Sequence, residues 1–486
     1  MAAVGIGSPK SRPEQQQNQH GLWWATGSEQ KVAGVSEFHP DNHVTLTLSD
    51  SLDVDDRRDR VLHGVLGTRE VTLTQARRGW RAGRSWSNKR GWTTTTPEEW
   101  RASGYFLGVH YDTPSAELFT SLTFTTPQLI EWITPPEVQS RTQYSADDKP
   151  ESVSITFDVP AETSVDIAGV GRVLVGLPPA FGASSGRGHF RMEITPSWHV
   201  TLDRPRTTSD IYTNVVLPLM LWTTFCVGAG DRLTSISLGQ PSDEPDDDGW
   251  RSVTWFPYGW TQDVHEDQRK PLWGHHVPHR DVVNRLSGLL SAWFELYQDA
   301  AGPVIESLLP FLEERARLIG PDFLRDMRAA EGHHRLAYGG QRFPENEWAD
   351  FAERLAGVAE GREQRSLVKS WVKHGNDPGL DGRLRKLARE SSPEVRRIAI
   401  ANGETLDACA GLRNDYAHGK EIWPDKAMTM GAGSTLVAFM LRSLFLQRIG
   451  IAPEHTDRLL MSTGEWQSMQ HLDPERKPSW HGDPFA

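Results

Sequence analysis

From about Gly21 to Trp260 the hydrophobic pattern has a period of two. "HVTLTLSD", "REVTLTQ", "ELFTSLTFTT", "SVSITFDV", "GRVLVGL" and "FRMEITPSWHVTL" alternate apolar with polar residues and are rich in Val, Ile, Thr and Phe. Gly, Pro, Asp and Asn separate them, as turns between strands require. The pattern predicts a mainly antiparallel β region, a sandwich or a partly closed barrel. Two stretches break it, "TPQLIEWI" and the segment Asp210–Gly228. Both read as helices. The apolar run "VVLPLMLWTTFCVGAG" is shorter than a membrane span and carries a proline and threonines. It predicts a buried core helix capped near its start by Ser209 or Asp210.

After Pro278 the spacing becomes helical. "DVVNRLSGLLSAWFELYQDAAGPVIESLLPFLEERARL", "PDFLRDMRAAEGHHRLA", "EWADFAERLAGVA", "EQRSLVKSWVKHG" and "GETLDACAGLRNDYAH" each carry an apolar stripe. "TLVAFMLRSLFLQRIG" is apolar on nearly every face and predicts the centre of a bundle. The fold class expected is therefore α+β. A tail over 1–20 without the composition to fold precedes a β-rich domain over 21–270, an all-α domain over 280–460 and a polar C-terminal tail over 461–486.

Composition narrows the function. A chain of 486 residues exceeds what one core holds, and its net charge of -12 argues against non-specific coating of nucleic acid, though not against a local basic site. Cys226 and Cys409 are the only cysteines, which leaves no disulfide framework and no cysteine zinc site and suits a reducing cytoplasm. The N-terminus lacks the apolar run of a signal peptide. The acidic loop around Asp243–Asp248 has its glycine misplaced for a calcium loop and reads as solvated linker. His275, His276 and His279 in "HHVPH" have no neighbouring cysteine or carboxylate and also read as linker rather than metal ligands. His333 and His334 read as packing or supporting groups. No metal and no cofactor is expected.

The stretch "LRNDYAHG", Leu412 to Gly419, carries the candidate chemistry. At about 100° per residue, Leu406, Cys409, Ala410, Arg413, Tyr416 and Ala417 share one helix face. Arg413 thus points with apolar residues and needs an anionic partner. Glu331 lies on an apolar stripe of its own helix with Leu324, Met327 and His334, so it can supply that partner. A local Glu331–Arg335 pair is the competing arrangement. Asn414 and His418 are one turn apart on an adjacent face. Gly419 is placed to end the helix in a left-handed conformation, leaving His418 in the last turn, where it could take and give a proton.

Arg413, Asn414 and His418, four residues between arginine and histidine at a helix end, resemble the motif of HEPN ribonucleases. The surrounding blocks "GLWWATGSEQKVAGVSEF", "VLHGVLGTREVTLTQ", "YFLGVHYDTPSAELFTSLTFTTPQLIEWI", "SAWFELYQDAAGPVIESLL" and "EGHHR" resemble ApeA-type antiphage proteins over roughly Gly21 to Leu460. The resemblance implies an ApeA-type N-terminal domain that senses or restrains, followed by a HEPN nuclease domain. It implies Arg413 and His418 as the catalytic pair, Asn414 as the polar residue after the arginine and Glu331 as acidic support. It also implies metal-independent endonucleolytic cleavage of RNA by 2′-OH attack, with tRNA as substrate, a homodimer or higher homo-oligomer, and a phage-derived trigger. No membrane partner is expected. A non-catalytic HEPN-type protein that binds RNA or a partner is the competing class. Asp415, an anion inside the motif, departs from what a phosphate site favours; helical phase turns it away from Arg413.

One basic stretch stands apart. In "RRGWRAGRSWSNKRGW", Arg77, Arg78, Arg81, Arg84, Lys89 and Arg90 interleave with Trp80, Trp86 and Trp92. It reads as a loop between strands that could bind RNA or a trigger through phosphate contacts and stacking. The plainer reading is an exposed loop whose tryptophans fold back on the sheet.

Overall fold

The computed structural model describes residues 19–475 apart from 40–42, 53–59, 82–96, 114–115, 134–137, 145–149, 158–161, 177–181, 187–188, 194–195, 232, 234, 242–249, 257–273, 313–318 and 421–423. The acidic loop, most of the tryptophan-rich basic stretch and residues 1–18 therefore lie outside the described residues. The chain divides into two compact units: Met1–Thr223 with Asp231–Lys270 and His279–Ser287, and Thr224–Gly230 with Pro271–Pro278 and Gly288–Ala486.

The first unit is β-rich and antiparallel throughout its thirteen-stranded sheet. Six strands close on themselves. Arg69–Arg81 pairs Arg60–Leu66, which pairs Gln19–Ala25, then Val32–His39, His43–Leu48 and Glu98–Ala102, and this last strand returns to Arg69–Arg81. Closure needs a bend in the strand that pairs at both ends of the ring. Gln75, with a left-handed φ of 53°, sits where that strand stops pairing Gly104–Leu107 and starts pairing Glu98–Ala102. The alternation in the sequence fills the interior with Trp23, Val44, Leu46, Leu62, Leu73, Trp100 and Tyr105. The ring is the partly closed barrel that the alternation offered, with seven further strands extending the sheet beyond it. Gln19 and His20, placed by composition in the N-terminal tail, already belong to its first strand in chain order.

Helix α1 (Pro127–Trp132) starts where Thr126 caps Leu129 and proline occupies the first turn. The apolar run begins earlier than its composition suggested. Thr207, not Ser209 or Asp210, caps it, accepting from the Asp210 amide. The helical path continues through α2 (Thr208–Ile211), a π-helical turn at Tyr212–Val216 and α3 (Leu217–Val227). Pro218 lacks an N–H to donate into the preceding turn, and the wide turn accommodates it. The whole run, Thr208–Val227, is long and apolar enough to cross a bilayer, but 72% of its apolar window is buried in protein.

A short helix α4 (His279–Val282) precedes the long α5 (Leu286–Leu312), which kinks at Ala300 ahead of Pro303. The helical unit continues with α6 (Ile319–Tyr338), α7 (Glu345–Val358), α8 (Gly361–Gly375), α9 (Leu380–Glu390), α10 (Pro393–Ala401), α11 (Gly403–Ala417), α12 (Pro424–Arg448), α13 (Pro453–Met461) and α14 (Trp466–His471). The central helix begins at Pro424, eleven residues before the apolar run that announced it, and 67% of its apolar window is buried. The expected polar tail over 461–486 is corrected as far as it is described. Trp466 and Met469 of α14 are buried, and Asp473 pairs with Arg397 at 2.8 Å. The "HHVPH" segment is likewise not a loose linker: His275 and His276 are buried, and His276 meets Glu465 at 3.0 Å.

Candidate active site

The motif sits at the C-terminal end of α11. Leu406, Cys409 and Leu412 anchor that helix by burial. Gly433 of α12 permits the approach, because a Cβ there would collide with the Cys409 sulfur. Gly320 at the start of α6 does the same for the Tyr416 ring. Burial pushes the Cys409 thiol up to about 12, so it is no nucleophile.

The helix ends as its sequence requires. Gly419 has φ 68°, its amide donates to the Tyr416 carbonyl at 3.0 Å, and the Lys420 amide donates to the Asp415 carbonyl at 3.0 Å. These two bonds form the double-bonded helix terminator that needs glycine in the left-handed position. His418 becomes the cap residue, with φ -93° and ψ 10°, and its side chain is exposed. Among the described residues its imidazole has no hydrogen-bond partner, which leaves both ring nitrogens to solvent or a ligand.

Arg413 reaches sideways rather than into a core. Its Nη2 donates to Glu331 Oε2 of α6 at 3.1 Å, and its Nη1 donates to Asn414 Oδ1 at 3.1 Å. The side chains are half-exposed, 36% for Arg413 and 25% for Glu331. The Glu331–Arg413 contact that helical phase suggested is present, and it is partly solvated. Three of the four sequence-selected residues, Arg413, Asn414 and Glu331, come together. His418 stands one turn from Asn414 on the same helix.

Asp415 turns away from Arg413, as its phase predicts. Lys420 and Lys426 bind it at 2.7 and 3.3 Å, and the Lys420 contact foremost holds its carboxyl below the usual range. The anion inside the motif is therefore neutralised locally.

Sequence reasoning missed Arg383. It is buried on α9 and donates to the Glu331 carbonyl at 3.4 Å and the Pro378 carbonyl at 2.9 Å. Its position three residues after Leu380 and one before Leu384, on an apolar stripe, was the available signal. Desolvation first, then the neighbouring Arg335, lowers its affinity for the proton, while Glu331 raises it. His333 and His334 are buried beside this cluster. His333 packs edge-on against Phe445, and burial with Arg448 lowers its pKa to about 4. Among the described residues no group of three or more His, Cys, Asp or Glu is arranged to hold a metal.

The basic stretch divides in two. Arg77 to Arg81 belong to a strand, not to the expected loop. Arg77 is exposed, whereas Arg78 points into the barrel. There it forms an ion pair with the buried Glu98, donates to the Leu52 carbonyl at 3.0 Å and lies 5.1 Å from the Trp100 ring. Arg78 is occupied structurally and is corrected as a surface contact. The side chains of Trp80 and Arg81, and residues Arg84, Trp86, Lys89 and Arg90, lie outside what is described.

Residues 19–293 match the family model for ApeA N-terminal domain 1. Neither a curated protein nor a solved structure matches the chain. The matched region covers more than half of the sequence and includes the whole closed barrel with the strands that extend it, and on that ground the chain belongs to the ApeA family.

Proposed function

We propose that this chain is a metal-independent HEPN-type endoribonuclease of antiphage defence, with Arg413 and His418 as its catalytic pair and RNA, tRNA in particular, as its substrate. The observation that carries the reading is the Glu331–Arg413–Asn414 chain of hydrogen bonds set one turn from an exposed, unpartnered His418. Family membership supports a defence role.

The chemistry follows from the groups present. The ribose 2′-OH attacks the adjacent phosphorus, its proton passes to a base, and the 5′-oxygen leaves with a proton, giving a 2′,3′-cyclic phosphate and a 5′-OH. A histidine near neutrality can act at either proton. A guanidinium already oriented by a carboxylate presents its remaining N–H groups to the phosphate oxygens, where negative charge grows in the transition state. A homodimer would bring two such motifs to one cleft, and the β-rich unit would sense a phage-derived trigger or restrain the nuclease until it arrives.

The test is incubation of purified protein with total tRNA in EDTA, with end-group analysis of the products. Cyclic phosphate ends that vanish with His418→Ala support the proposal. Binding of RNA without any cleavage would favour the competing class, a HEPN-type RNA-binding regulator.

A further inference from the structure

Between α6, which carries Glu331, and α9, which carries Arg383, the chain inserts the α7–α8 hairpin. Its base is fixed. Asn376 is buried, accepts from the Arg342 and Phe343 amides at 3.1 and 2.9 Å, and donates to the Phe343 carbonyl at 3.0 Å. Trp348 of α7 donates to the Val372 carbonyl of α8 at 3.2 Å, which ties the two helices together. Beyond this seam the hairpin is exposed, and α7 buries no residue.

On α8 the cations fall at Arg362, Arg365, Lys369 and Lys373. Steps of three, four and four keep them within about 80° of arc on one helix face. All four are exposed, and among the described residues none forms an ion pair. Glu363, the single acid of α8, lies off this face. A protein with a net charge of -12 thus holds four uncompensated cations in a row over roughly 16 Å. That length matches about five phosphates along one strand of a duplex. Lys373 ends the row three residues from Asn376 at the hairpin base, and α9 follows with the Arg383 that holds the Glu331 carbonyl.

We infer that the basic row on α8 is a phosphate-tracking rail for an RNA backbone, leading along the hairpin toward the Arg413–Glu331 pair. The identity of the polyanion as RNA rests on the proposed function. The rail reads no sequence, since its groups are suited to phosphates alone. It lengthens the contact between protein and substrate beyond the nucleotides at the reacting bond.

The experiment measures binding apart from cleavage. Full-length protein carrying His418→Ala is titrated with tRNA in EDTA across a salt series. The comparison variant adds Arg362→Gln, Arg365→Gln, Lys369→Gln and Lys373→Gln, changes that keep good helix formers on an exposed face. A control variant neutralises Glu345 and Glu347 of α7 instead. Thermal melting verifies that both variants fold. The rail predicts that the fourfold change weakens binding at least about 100-fold at low salt and lowers the slope of log affinity against log salt by roughly three. The α7 control should bind as well as the parent or better. Unchanged affinity and slope in the fourfold variant overturn the rail even if the wild type cleaves RNA. Absence of RNA binding by the parent also overturns it. Rail-dependent binding by a wild type that never cleaves would retain the rail and remove the nuclease reading.

Discussion

Arg413 and Glu331 meet at 3.1 Å across α11 and α6, with both side chains partly in water. That exposure sets the energetics. A partly solvated pair contributes about 1 kcal/mol to stability or less, not the several that a buried pair commands. Its value to the protein lies in fixing where the guanidinium points. Glu331→Gln should therefore leave the melting temperature nearly unchanged and reduce cleavage of tRNA by roughly tenfold, through loss of orientation. Arg413→Lys should also stay folded. Lysine keeps the charge but not the planar fork that binds two oxygens at once, so cleavage should fall on the order of 100-fold. A lysine variant that cuts at the wild-type rate would remove Arg413 from the catalytic assignment.

His418 caps α11 through its backbone, and among the described residues its side chain forms no hydrogen bond or ion pair. Because the cap is made by its backbone and not its exposed side chain, its Ala and Gln variants should melt within about 0.5 kcal/mol of wild type. RNA cleavage should be lost in both. Gly419→Ala gives the opposite profile. It forces a Cβ into a left-handed conformation and should cost about 1 kcal/mol, with cleavage reduced only as far as His418 is displaced. Parallel melting and cleavage assays on the three variants separate the histidine's chemistry from the helix terminator's geometry.

His333 makes stability depend on pH. Its folded pKa of about 4 lies below its ordinary 6.5, because burial and Arg448 oppose its protonation. The unfolded chain therefore takes up this proton first as pH falls. The contribution is present above pH 6.5 and is lost progressively between 6.5 and 4, reaching on the order of 3 kcal/mol if the site stays closed to water. His333→Gln should flatten that part of the pH profile. Urea unfolding of both proteins at pH 7 and pH 4.5 measures the difference.

The sequence announced what depends on local periodicity and concealed what depends on long-range pairing. Strand alternation revealed the β-rich unit. It could not reveal ring closure, because nothing local tells Glu98–Ala102 to pair with both His43–Leu48 and Arg69–Arg81. The Arg413–Glu331 contact was legible because each residue sat on an apolar helix face and wanted an opposite charge. Its exposure was not, since that depends on how closely α6 and α11 approach at their ends. Helices α9 and α10 escaped notice: they are short, and α9 is so charged that its buried Leu380, Leu384 and Leu387 were outnumbered. The tail was misread for the same reason, its apolar burial resting on Trp466 and Met469 in a polar context.

Arg77 and Arg78 look alike in sequence and face opposite ways on one strand. Arg78 lies over Trp100, its cross-strand partner, and its side chain and that of Glu98 are 6% and 3% exposed. Glu98 also accepts from the Leu52 amide at 2.9 Å, so the pair ties a third segment to the barrel wall. Removing one member leaves the other charged and buried, which costs roughly 3–5 kcal/mol. Arg78→Ala should accordingly lower the midpoint of unfolding sharply, and any loss of RNA or trigger binding in that variant would reflect the fold. Arg78→Met with Glu98→Leu removes both charges while retaining much of the volume, and should recover most of the stability. Arg77 is exposed, and Arg77→Ala should shift stability by no more than about 0.5 kcal/mol. It is the substitution that tests whether this strand meets a nucleic acid. Weaker tRNA binding by Arg77→Ala, at unchanged melting temperature, would place the strand in an RNA or trigger interface; unchanged binding would exclude Arg77 from that role.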